Sequence, residues 1–150
     1  MHTAVVRETR SKGLYKCFEY AAAGCFLAGV LLGREYELAA GWLLHDAAEE
    51  IVEEHSWFFF EHPRGRLEVV DLASRHYPAY LAGLGGRWRG RPPSPVLWGW
   101  APVRQLPKLE PADQSTQNFY GQLLYDKDAE RRVERIARAA YRAARRTLGV

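Results

Sequence analysis

Apolar residues recur along this chain at three- and four-residue intervals, the spacing of one buried face of an α-helix. From about Thr9 to Leu32 the positions Leu14, Cys17, Phe18, Ala21, Cys25, Ala28 and Leu32 form such a stripe. Gly33 is placed to end it, since glycine accepts the left-handed cap. A second helix is predicted from Arg34 to about Phe60, with Tyr36, Ala40, Leu43, Ala47, Ile51 and the following aromatics as its core stripe. Pro63 and Gly65 close it. A third covers Leu67 to His76, where Pro78 stops or kinks the chain, and a short helical piece covers Ala79 to Leu84. Asp113 suits the N-cap of a fourth helix reaching Tyr125. Asp126, Lys127 and Asp128 form a break with a fresh cap before a fifth helix that ends near Leu148. The pattern predicts an all-α fold, an antiparallel up-and-down bundle of about five helices in a single domain over residues 1–150.

One segment interrupts the periodicity. Residues 85–107, GGRWRGRPPSPVLWGWAPVRQLP, are crowded with glycine and proline, which excludes helix over most of their length and predicts an irregular insertion loop. Its tryptophans, Trp88, Trp98 and Trp100, argue that part of it packs down onto the body of the protein.

Composition narrows the class. Of the 150 residues, 47% are hydrophobic and 26% charged, a globular balance that excludes a disordered chain. No apolar run approaches the roughly 20 residues of a membrane span. The nearest, Ala21 to Leu32, is too short, and the mixed signs of Arg7, Glu8, Arg10 and Glu19 ahead of it do not suit an export signal. The expected location is cytoplasmic, with no membrane partner. A single methionine, a single asparagine (Asn118) and the excess of arginine over lysine lean towards a thermophilic or GC-rich source. Cys17 and Cys25 on one helix lie about 12 Å apart along its axis, too far to bridge, and read as small buried apolar residues. No spaced Cys/His set suggests zinc, and neither a metal nor a cofactor is expected.

Charge is more informative by region than by its sum of +3. From Glu35 to Asp71 only Arg64 and Arg66 stand against many carboxylates, while Arg87 to Lys108 contains no acid. On the last helix Arg131, Arg135, Arg138, Arg142 and Arg145 follow steps of four, three, four and three residues, forming one stripe opposite Val133, Ile136, Ala137, Ala140 and Ala144. An ordinary solvated face accounts for that stripe. A second basic patch, Arg87, Arg89 and Arg91 around Trp88, combines guanidinium groups with an aromatic ring, as phosphate-holding and base-stacking surfaces do. Arg87, Trp88, Arg89, Arg91, Arg131, Arg135, Arg138 and Arg142 are therefore the candidates for contact with nucleic acid or nucleotide phosphates.

The stretch GREYELAAGWLLHDAAEE resembles the second-helix signature of HEPN domains, through Gly33, Tyr36, Ala39 or Ala40, and Ala47-Ala48-Glu49. PRGRLEVVDLA (Pro63 to Ala73) is similar in placement to the family's next helix start, with Asp71-Leu72 matching and its histidine missing. LLYDKDAERRVERIA (Leu123 to Ala137) is similar to the family's last turn and helix. The resemblance covers roughly Leu14 to Arg75 and Phe119 to Leu148 and leaves the tryptophan-rich insertion unexplained. It implies a helical bundle that forms homodimers. Its members include metal-independent ribonucleases with an R-x4–6-H motif, toxins paired with a nucleotidyltransferase antitoxin, and RNA- or nucleotide-binding non-enzymes.

The catalytic pair of that family does not carry over. No histidine follows His76, and Leu124 stands where the arginine aligns. The resemblance thus implies a non-catalytic or degenerate HEPN-like protein that binds RNA or nucleotide phosphates, with a nucleotidyltransferase as candidate partner in a toxin–antitoxin-like pair. Two alternatives stand beside it. One is a dimerisation or protein-interaction module that docks a partner through its aromatic loop, since tryptophan and arginine anchor interfaces. The other is a ribonuclease with a non-standard site built on His45 and Glu49, neighbours four residues apart on a helix face. His55 and His62 flank the aromatic run Trp57 to Phe60, which reads as core or interface.

Overall fold

The structure, a computed structural model, describes residues 17–45, 50–83, 85, 87–100, 108–115, 117–118 and 126–148. Helix α1 (Cys17–Leu32) leads into a hairpin of β1 (Glu37–His45) and β2 (Glu50–Glu61), then β3 (Leu67–Val70). A 3-10 turn at Ser74–His76 runs into α2 (Tyr77–Gly83), followed by β4 (Val96–Trp98), β5 (Lys108–Pro111) and the long helix α3 (Lys127–Leu148). The strands form one antiparallel sheet in the order β4-β3-β2-β1-β5. The all-α, antiparallel up-and-down bundle is overturned: a mixed α/β fold stands in its place, and with it goes the helical-bundle architecture that the HEPN resemblance implied.

The correction falls on residues 34 to 60. The helix expected there is the β1–β2 hairpin, with Ala39 opposite Trp57 and Gly41 opposite His55. The run Trp57-Phe58-Phe59-Phe60 decides the matter physically. No single helix face holds four consecutive aromatics, whereas a strand sends them alternately to its two sides. Trp57 joins Ala39, Leu43, Val69, Tyr77, Leu97 and Leu109 in one core cluster. Phe58 joins Tyr20, Leu27, Tyr36, Val70, Leu72 and Ile136 in another, on the side covered by α1 and α3. With both faces buried, the strand reads as a continuous apolar run instead of an alternation. Leu67–Val70, expected as helix, adds its edge to β2 for the same reason.

Small residues set how closely α1 lies on the sheet. Ala21, Ala23, Gly24 and Ala28 are buried along its inner face, and a Cβ on Gly24 would fall 2.7 Å from the Phe58 ring. Gly33 ends α1 as its sequence suggests, in the left-handed conformation at φ 62°, its N–H donating to the Gly29 carbonyl at 2.9 Å. The last helix is also where periodicity puts it. Asp126 caps α3 by accepting from the N–H of Asp128 at 2.8 Å, and Ile136, Ala137 and Ala140 bury against α1. Arg132 ties the two helices through Glu19 at 3.3 Å. Of the predicted loop, 96–98 is a strand pairing with β3, and residues 101–107 lie outside the described set. The short piece expected at Ala79 to Leu84 is α2, and of the predicted fourth helix residues 114–115 and 117–118 are helical.

Gly41 is the tightest point of the sheet. A Cβ there would lie 2.1 Å from the Glu110 carbonyl oxygen and 2.7 Å from the Ala112 nitrogen, both backbone atoms of the β5 crossing. Gly41→Ala should therefore destabilise the protein by about 3 kcal/mol or more in denaturant unfolding. Gly83→Ala, where a Cβ meets nothing within 4 Å, should stay within about 0.5 kcal/mol of the wild type.

Candidate functional site

Three separate elements converge on one buried carboxylate. Asp71 follows the last residue of β3, His55 sits on β2 one strand away, and Tyr77 is the first residue of α2. His55 and Asp71 pair through Nε2 and Oδ2 at 2.8 Å, with both side chains fully excluded from solvent. The Tyr77 hydroxyl donates to the same Oδ2. The Ala73 backbone N–H donates to Oδ1 at 2.8 Å. The loop before β4 locks the carboxylate's own backbone, since the Asp71 N–H donates to the Pro95 carbonyl at 2.8 Å and the buried Ser74 hydroxyl lies 3.3 Å from the Ser94 carbonyl.

A fourth residue completes the arrangement. Cys17 is the first residue of α1, a half-buried free thiol. Its Sγ lies 3.9 Å from the carbonyl oxygen of Glu54, the residue directly before His55. That brings the sulfur to the imidazole, with which it interacts. Asp71 occupies Nε2, and among the described residues Nδ1 has no hydrogen-bond partner. The result is an imidazole oriented by a carboxylate, with its other ring nitrogen unpaired and the Cys17 thiol beside the same strand.

The electrostatics follow from that order. Burial pulls His55 towards the neutral form, but the Asp71 charge and its hydrogen bond outweigh this, Cys17 adds to them, and the imidazole is pushed up to about 10. Burial raises Asp71, while the His55 charge and hydrogen bonds from His55, Tyr77 and Ala73 overcome it and hold the carboxyl below its usual range. The second thiol is of another kind. Cys25 donates to the Tyr36 carbonyl at 3.2 Å, and burial, aided by Glu37, pushes it up to about 11. Both thiols, expected as small buried apolar residues, are only half-buried.

An aromatic wall closes the far side of the carboxylate. Trp88 packs edge-on to Tyr77 at 6.3 Å, Trp57 lies 6.2 Å from His55, and Trp100 packs on Trp57 at 5.9 Å.

The residues singled out for anion binding fall elsewhere. Arg87, Arg89 and Arg91 are exposed, but Trp88 between them is half-buried, its indole N–H donating to the Arg91 carbonyl at 3.3 Å and its ring committed to Tyr77. On α3, Arg131 pairs with Asp128 at 3.8 Å and Arg138 pairs with Glu134. Arg135 and Arg142 are exposed and make no ion pair among the described residues. The stripe therefore stands apart from the buried constellation, on a helix that packs against α1. His45 ends β1 instead of lying on a helix, and Glu49 lies outside the described residues.

Sequence periodicity missed Cys17, His55, Asp71 and Tyr77 as a site because strand and turn bring them together from far apart in the chain. The available signal was the order itself: a cysteine in an Ala/Gly-rich helix, a histidine just before an aromatic run, an aspartate ending the next apolar run. No helix among the described residues is long and apolar enough to cross a membrane.

No family model matches the chain, and no curated protein matches it. A solved structure, the structural-genomics target APC5867, is similar in fold, with a TM-score of 0.51 at 8% identity over 91% of this chain and 73% of that one.

The buried pair makes stability depend on pH from both ends. His55, raised from 6.5 to about 10, contributes stability that is full below pH 6.5 and lost as pH rises towards 10. Asp71, lowered from 3.8, contributes stability present above pH 3.8 and lost as pH falls further. Thermal unfolding across this range should give a maximum between those limits. Asp71→Asn should cost about 3–5 kcal/mol and remove the decline between pH 6.5 and 10.

Proposed function

We propose that this chain is a thiol-dependent acyl-transfer enzyme, with Cys17 as nucleophile, His55 as acid–base residue and Asp71 as the group that orients and charges the ring. The observation that carries the reading is the free Nδ1 of a buried histidine, beside an accessible thiol and held from behind by a carboxylate. Thiol hydrolases use the same three roles in the same sense. A histidine held as the imidazolium at neutral pH stores the proton that the thiol gives up, and a thiolate, not a thiol, is the attacking species.

The reaction follows from these roles. The Cys17 sulfur attacks the carbonyl carbon of an amide or ester, and the C=O electron pair moves onto oxygen. As the tetrahedral species collapses, the C–N or C–O bond breaks and His55 delivers its proton to the leaving group. A thioester to Cys17 remains. Water, or an amine in a transfer reaction, then attacks this thioester while His55 accepts the proton from the incoming nucleophile. The C–S bond breaks, and the thiolate is restored beside the imidazolium. Such a free thiol requires a reducing compartment, in keeping with a cytoplasmic location. The exposed arginines lie outside this chemistry, and no geometry favours them over it.

Alkylation tests the reading without a known substrate. Iodoacetamide at neutral pH followed by peptide mapping should label Cys17 and spare Cys25, and His55→Ala should slow the labelling at least about tenfold. Hydrolysis of p-nitrophenyl acetate should show an acyl-enzyme burst that Cys17→Ala abolishes. Labelling of Cys17 at the rate of a free thiol, insensitive to His55, would reject the assignment.

A further inference from the structure

The carboxylate of the site is shared. Asp71 Oδ2 accepts from His55 Nε2 and from the Tyr77 hydroxyl at once, while Oδ1 is held by the Ala73 N–H. All three side chains are buried: His55 is 1% exposed, Asp71 and Tyr77 0%. A buried tyrosine hydroxyl needs an acceptor, and Tyr77 takes the same oxygen that holds the imidazole. The sequence also spends a helix start on it. The 3-10 turn at Ser74–His76 brings Tyr77 back over Asp71 only six residues later, and Trp88 backs the phenol ring.

We propose that Tyr77 is a positioning residue for the thiol–imidazole pair, dividing the Asp71 charge between two donors and so setting the pH range over which His55 keeps its proton. The inference rests on the assignment of Cys17, His55 and Asp71 just made. Its physical basis is competition at a single oxygen. A hydrogen bond to a charged group is strong and withdraws negative charge from the other contacts of that group. With the Tyr77 hydroxyl present, the imidazolium meets a partly satisfied carboxylate. Without it, the carboxylate turns fully to the imidazolium, and His55 holds its proton to higher pH. Among the described residues, the ionisable groups that act on this ring are Asp71 from the end of β3, Tyr77 behind it through that carboxylate, and Cys17 from α1. The Ala73 N–H fixes the carboxylate on its remaining oxygen, so rotation of Asp71 cannot relieve the competition.

The test uses iodoacetate as probe and Cys25→Ser as background, so that Cys17 is the thiol observed. The anionic reagent is drawn to the imidazolium, and its rate of reaction with Cys17 falls when His55 loses its proton. The alkaline limb of the pH–rate profile therefore reports His55. Tyr77→Phe should move that limb upward by about one pH unit, the size of one hydrogen bond to a charged group. Replacing Tyr77 alone with 3-fluorotyrosine, a stronger donor of nearly the same shape, should move it downward and keeps the test open if the phenylalanine variant folds poorly. A limb that stays in place in the folded variants, with overall stability merely reduced, would leave Tyr77 a packing residue and overturn the proposal. A profile with no His55-dependent limb even in the background protein would instead reject the catalytic assignment itself.

Discussion

Two opposite charges taken wholly out of water, on His55 and Asp71, constrain the rest of this molecule. Neither is tolerable alone in a protein interior. Each needs the other at hydrogen-bond distance, and the remaining lone pairs of the carboxylate need donors as well. The surrounding architecture supplies them: a strand register that sets His55 two residues before an aromatic run, a strand end that exposes Asp71 to the Ala73 amide, and a helix start that delivers Tyr77. The loop before β4 then holds the Asp71 N–H at the Pro95 carbonyl and the Ser74 hydroxyl at the Ser94 carbonyl. Chemistry and fold are coupled here, because the elements that bury the pair are those that aim it at the Cys17 sulfur.

The two faces of the sheet are unlike. One face carries the large apolar interface with α1 and α3, where glycine and alanine let the helix approach the Phe58 ring. The other carries the polar pair under a cover of tryptophans. Cys17 stands at the start of the helix belonging to the first face, beside the strand that carries the histidine of the second. It is the most accessible member of the constellation, half-buried where His55, Asp71 and Tyr77 are wholly buried. A low-dielectric setting of that kind strengthens each electrostatic contact among the three groups.

How much of this the amino-acid order discloses differs from element to element. The two long helices are legible, because α3 has a clean arginine-against-alanine periodicity and an aspartate cap, and α1 ends at a glycine with positive φ. The sheet is not, because Tyr36, Ala40 and Leu43 fit a helical stripe as well as they fit the strand region where they lie buried. Only the four consecutive aromatics at Trp57 to Phe60 break that degeneracy. The basic patches attract notice because guanidinium groups cluster locally, whereas Cys17, His55 and Asp71 are single letters separated by 38 and 16 positions. Tertiary contact, not spacing, makes them a unit. Trp88, an aromatic flanked by arginines, packs edge-on to Tyr77 across the fold, a contact that no local spacing discloses.

The central claim is that His55 carries a proton at neutral pH because Asp71 stands behind it. Nitrogen-15 NMR of the imidazole ring reads this directly. Both ring nitrogens should be protonated at pH 7, with loss of the proton only near pH 10. A neutral ring at pH 7, titrating at or below the ordinary 6.5 of a free histidine, would contradict the account.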